Sequence, residues 1–197
     1  EAYQKDQGVL KGLIEILDAT DGKISTYHGP QIEDASQAYS FVCTYAFPSL
    51  PHRPHPLPVW QSYEHHIALM NAPIYAKLIE TLKPAMGGPF EMIHVKFTKN
   101  PTPVLEAPVT EVAFITLKPG KTKEQVAPLL DQLTSRGLSA WGPTIEKEDT
   151  LVLTFGWASV EEHTEVISKA PEEAKKVLAS IKELADIKLA HGNLKKY

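Results

Sequence analysis

The chain carries one pattern twice, and a duplication of this length constrains the fold more than any composition figure. VWQSYEHHIALMNAPIYAKLIETLKP (residues 59–84) is echoed by GWASVEEHTEVISKAPEEAKKVLASIKEL (residues 156–184). Trp60, Ser62, Glu64 and His66 recur 97 positions later as Trp157, Ser159, Glu161 and His163. A further histidine stands 28 residues beyond each helical one, at His94 and His191. FVCTYAF (residues 41–47) corresponds to LVLTFGW (151–157), and the stretch YHGPQIED at Tyr27 to WGPTIEKED at Trp141. A repeat of about 100 residues is too long for a solenoid unit and implies two homologous modules.

Hydrophobic periodicity and turn residues order the second module as strand 111–117, helix 121–135, a hairpin of 138–146 and 150–157, helix 159–184 and strand 187–194. That βαββαβ order is ferredoxin-like, with two helices on one face of a four-stranded antiparallel sheet. The first module reads as helix 4–17, strands 23–33 and 38–47 joined by Asp34-Ala35-Ser36, helix 62–82 and strand 90–97. No strand precedes its first helix. In this topology that strand is central, and its loss leaves ladder groups unpaired, so we expect it upstream of Glu1, with a strand from another chain as the alternative. The modules are then 1–99, carrying a proline-rich loop at 48–59, and 109–197, with a linker at 100–108.

An uncovered apolar sheet face must be buried against something. The α+β chain is therefore expected to pack its two tandem modules sheet to sheet, as an intramolecular, pseudo-dimeric barrel with a cavity between the sheets. Such a chain satisfies its own dimer and would be a monomer with pseudo-twofold symmetry.

The motifs Y/W-G-x-x-x-E-D, W-x-S-x-E-x-H, P-x-Y and H-V-x-F resemble those of the dimeric α+β barrel superfamily. Within it the chain is most similar to antibiotic-biosynthesis-monooxygenase-like (ABM) and stress-responsive A/B-barrel proteins of tandem fungal type. The resemblance implies the barrel fold and a function among cofactor-free monooxygenases, polyketide cyclases, lactone isomerases, haem-degrading enzymes or proteins without a reaction. In cyclase-like members a catalytic histidine sits in P-x-H; the matching residues here are Tyr75, in Pro73-Ile74-Tyr75, and Glu173.

Other classes are excluded by composition. Net charge is -4, with both signs scattered and no basic stripe for nucleic acid. No cationic amphipathic helix suggests a membrane surface, and no apolar run approaches the roughly 20 residues of a membrane span. The single Cys43 fits a reducing, cytoplasmic setting. No nucleophile elbow, P-loop or dinucleotide fingerprint is present.

The candidate chemistry lies in histidines and phenols. His94 on the last strand, or His66 on the helix, would serve as general base near neutral pH; a half-buried structural histidine is the bland alternative for each. His94 is preferred over His191, because Gly192 and Asn193 suggest a fraying strand. Tyr27, Tyr39 and Tyr75 could steady a developing oxyanion, or simply pack. Tyr39, Tyr45, Phe90, Met92 and Trp141 would line the substrate site. His52, His55, His65 and His66 lack the acid or thiol partner of a zinc pattern, so no metal is expected.

The leading expectation is a cofactor-independent enzyme acting on a small aromatic or polyketide-like molecule between the sheets. A non-catalytic ligand-binding or stress-related barrel is the alternative. Haem bound through His66 or His163 is a third.

Overall fold

The computed structural model describes residues 11–18, 25–43, 63–83, 91–135 and 137–196. Seven helices and seven strands lie among them. In chain order these are α1 (Lys11–Asp18), β1 (Ser25–Pro30), β2 (Ala38–Cys43), α2 (Tyr63–Asn71), α3 (Ile74–Leu82), α4 (Thr102–Leu105), β3 (Val109–Leu117), α5 (Lys123–Leu133), β4 (Ser139–Pro143), β5 (Thr150–Trp157), α6 (Val160–Ser168), α7 (Glu172–Leu184), β6 (Ala185–Gly192) and β7 (Lys195–Lys196).

The chain is α+β, with two antiparallel sheets. The second half forms a four-stranded sheet in the order β4-β5-β3-β6, the ferredoxin-like order that its βαββαβ pattern predicts. Strand alternation puts Ala113, Ile115, Leu151 and Leu153 on one face, where they pack against Val126 and Leu130 of α5 and Val177 and Ile181 of α7. On the opposite face Thr110, Val112, Ala140, Val152 and Thr154 are buried, with Phe114 and Lys188 beside them.

Each helix predicted from the repeat is broken in two. The second ends at Ser168 and restarts at Glu172 behind Pro171. The first ends at Asn71 and restarts at Ile74 behind Pro73. Proline has no N–H to donate and crowds the residue before it out of helical geometry, so each copy is a helix pair. Ser159 caps the second pair, its Oγ accepting the Glu162 N–H at 3.2 Å.

In the first half, β1 and β2 form the expected hairpin, with Asp34 accepting the Ser36 N–H at 3.0 Å in the turn. The strand predicted at 90–97 is a different matter. Among the described residues it makes one isolated bridge, Val95 to Thr144, in the other half of the chain. The expected gap ahead of α1 falls on residues outside the described set. The segment predicted as a linker is also no exposed tether. It contains α4, whose Val104 and Leu105 are fully buried, and Thr110 Oγ1 donates to the Val104 carbonyl at 3.2 Å.

The halves meet at two seams built alike. At one, Ile32 N–H donates to the His191 carbonyl at 2.8 Å, Gln31 bridges Gly192, and β7 adds to β1 beyond. At the other, Ile145 N–H donates to the His94 carbonyl at 2.9 Å, Thr144 bridges Val95, and Lys96 N–H donates to the Pro143 carbonyl at 3.0 Å. Close approach requires glycine at both. A Cβ on Gly29 would stand 1.8 Å from the Asn193 carbonyl oxygen, and one on Gly142 would stand 2.1 Å from that of Lys96. The contact in each case is backbone, which cannot swing aside as a side chain can. We expect Gly29→Ala and Gly142→Ala each to cost about 1–3 kcal/mol by overpacking. Urea unfolding measures this, and unchanged midpoints would mean that the seams open freely.

Candidate functional site

The side chains that converge lie at the end of the second sheet, beneath α6. His191, buried near the end of β6, pairs with Glu111 on β3. Both share the face of Ala113 and Ile115, the helix-side face. His163 descends from α6, and Trp157 ends β5. Alternation of the strands places these side chains on the helix side of the sheet.

A chain of polar contacts runs through the site. His191 Nδ1 meets Glu33 Oε1 at 2.5 Å, while the His191 backbone N–H donates to Glu33 Oε2 at 2.8 Å. On its other side His191 Nε2 lies 2.8 Å from His163 Nδ1. His163 Nε2 is 3.5 Å from Glu111 Oε2, which also accepts the Trp157 indole N–H at 2.9 Å. Trp157 stacks on His163 with ring centroids 4.8 Å apart, and Phe155 stacks on Trp157 at 5.6 Å. The side chains of Glu111, His163 and His191 are only 7%, 15% and 4% exposed, so this is an interior network. Burial alone would push the Glu33 carboxyl up. The ring and N–H of His191 outweigh it and hold that carboxyl below the usual range.

The other seam repeats the outer part of this arrangement. The His94 N–H donates to Glu146 Oε2 at 2.8 Å, and His94 Nδ1 contacts Glu146 Oε1. Here too burial pushes the Glu146 carboxyl up, and the His94 hydrogen bonds bring it down. Glu33 from the first half thus holds His191 of the second, and Glu146 of the second holds His94 of the first.

The expected site residues fare unevenly. His94 is engaged by Glu146 as described. Of His66 and Tyr39 only the backbone is described, and Tyr45 and Phe90 lie outside the described residues. Tyr27 is fully buried, but its hydroxyl donates to Glu106 at 2.9 Å, with Lys196 5.7 Å above its ring. Burial, helped by the Glu106 carboxylate, raises its pKa. Tyr75 packs among Leu13, Leu69 and Leu78. Trp141 fills the core under α5 and donates its indole N–H to Asp131 at 2.9 Å. Met92 is exposed. The expected fraying at Gly192 does not occur, because Gly192 pairs with Thr110 and bridges Gln31. His191 is therefore buried and fixed.

Three members were missed. Glu33 and Glu146 stood at matching places in GPQIE and GPTIE, a signal the repeat already carried. Glu111 was visible only as a lone acid in the apolar run VTEVAFITL.

Comparison with known proteins bears on the fold. No protein-family model matches the chain, and no curated protein matches its sequence. Solved structures do. A candidate monooxygenase from Lactobacillus acidophilus NCFM superposes with TM-score 0.62 at 10% identity, over 97% of this chain and 88% of that one. An anthrone oxidase-like protein gives 0.56 at 12% identity, over 97% and 86%. A candidate monooxygenase from Fusobacterium nucleatum subsp. nucleatum ATCC 25586 gives 0.58 at 12%, over 98% and 87%. The chain shares their α+β fold. No helix among the described residues is long and apolar enough to cross a membrane.

One titration near the first seam is set by burial. His28, beside Tyr27 on β1, is held down to about 4 by desolvation, against an ordinary value of about 6.5. Between those values the unfolded chain binds the proton and the folded one does not. Its contribution to stability is therefore complete above about pH 6.5 and lost as pH falls toward 4. We expect the urea midpoint to drop across that window, and to drop less in His28→Gln. Equal drops would show that His28 contributes nothing.

Proposed function

We propose that the protein is an enzyme acting on a small aromatic or polyketide-like molecule, held at the helix-side face of the second module beside Trp157. The observation that carries this reading is the contact chain Glu33–His191–His163, whose two histidine side chains are largely buried and which ends against a stacked aromatic wall. Glu33 orients His191, His191 faces His163, and His163 takes the substrate proton. The Phe155–Trp157 stack offers a flat apolar surface to a planar substrate. The likeness to candidate monooxygenases and an anthrone oxidase-like protein supports this class at the level of fold.

Anthrone is a suitable probe for such a base, because its methylene carbon is acidic. Removing one proton gives an electron-rich anion that molecular oxygen oxidises. One oxygen atom becomes the second carbonyl of the quinone and the other leaves as water, so no further cofactor enters the balance. The reciprocal seams, Glu33 with His191 and Glu146 with His94, support reading the chain as an intramolecular pseudo-dimer. Haem ligation by His163 is the weaker reading. A macrocycle would have to seat over a ring that is stacked on Trp157 and only 15% exposed, whereas proton transfer needs only its Nε2.

Oxygen uptake with anthrone tests the proposal. We expect turnover to fall roughly 10²–10⁴-fold in His163→Ala, as for loss of a general base, and to change little in His94→Ala. Full turnover in both His163→Ala and His191→Ala would sink the assignment. If anthrone is not consumed, native mass spectrometry of the source-purified protein identifies the ligand on which the same variants are compared.

A further inference from the structure

We propose that Glu111, His163 and His191 form a binding site for one divalent first-row transition-metal ion. One donor atom from each residue lies within 4.8 Å of the other two, and no side chain has to leave its element to bring them there. Two imidazoles and one carboxylate suit zinc, iron and their neighbours in the series, and differ from the all-oxygen sets that suit calcium or magnesium.

Hydrogen counting adds a second argument. Two hydrogen bonds link Glu33, His191 and His163 in a row, and two neutral imidazoles supply both hydrogens. His163 Nε2 is then left with a lone pair 3.5 Å from the nearly buried Glu111 carboxylate, a juxtaposition that a cation between them would relieve.

The surroundings suit a metal site as well. His191 presents Nδ1 to Glu33, which leaves Nε2 turned inward toward His163 Nδ1, 2.8 Å away, where a metal ion would replace the shared hydrogen. A carboxylate behind a ligating histidine fixes the ring and its tautomer in just this way. Trp157 donates its N–H to Glu111 Oε2 and stacks on His163, so the other two ligands are also held. The other seam repeats the Glu–His pair at Glu146 and His94. Metal and substrate proton compete for the same lone pairs, so a loaded site would be silent in the proton transfer proposed above. The inference goes beyond that reaction, and its test needs no substrate.

The test is titration of the chelator-stripped, full 197-residue chain with Co²⁺ near neutral pH. We expect visible d–d bands that saturate at about one equivalent and are bleached by Zn²⁺, as ligand-field chemistry of a nitrogen–oxygen site requires. The bands should be lost in His163→Ala and His191→Ala and kept in His94→Ala. Glu33→Gln should weaken affinity roughly 10–100-fold, as for loss of an outer partner. Far-UV circular dichroism checks that each variant is folded, and His163→Asn and His191→Asn repeat the test where an alanine variant is not. A folded wild-type chain that gives no Co²⁺ bands overturns the proposal, and so do bands that survive loss of both histidines. Neither result touches the turnover test, so the two readings fail separately.

Discussion

The structure depends on a carboxylate that reaches across a seam and grips a histidine at two points. Glu33 accepts from the backbone N–H of His191 with one oxygen and meets the ring with the other. Glu146 does the same to His94. A carboxylate drawn partly out of water needs good hydrogen-bond geometry to offset its lost hydration, and two-point contact supplies it. The grip sets the position of the last strand of one half against the first hairpin of the other. The glycines at 29 and 142 let the backbones come close enough for it to form.

The two grips hold unequal surroundings among the described residues. Behind His191 stand His163, Glu111 and Trp157, each fixed by a named partner. Glu111 comes from β3, the strand in the middle of the sheet, between β5 and β6. Beside His94, Glu146 is the partner named above, and the side chain of His66, the counterpart of His163, lies outside the described set.

Packing holds the two described phenols of the first half apart. Tyr27 is drawn to the seam by Glu106 and Lys196. Tyr75 completes the contact between α1, α2 and α3. In the second sheet Glu111 and His191 lie on the face that α5 and α7 cover, opposite Thr110, Val112 and Thr154.

Much of the fold was legible in the chain. The period of 97, the helical spacing of apolar residues and the turn residues between runs pointed to the βαββαβ order of the second half; the breaks at Pro73 and Pro171 emerged only in the structure. The candidate site was legible only in part. His163 and His191 stood out by their recurrence, but Glu33 is 158 residues from His191 and Glu111 is 46 from Trp157. LVLTFGW is apolar on both sides, so no local rule says which side meets the helices. That choice belongs to the packing of whole elements. Once α5 and α7 bury Leu151 and Leu153, strand alternation turns Glu111, Trp157 and His191 toward α6. The residues and their order are a property of the chain; their convergence is a property of which face the helices cover.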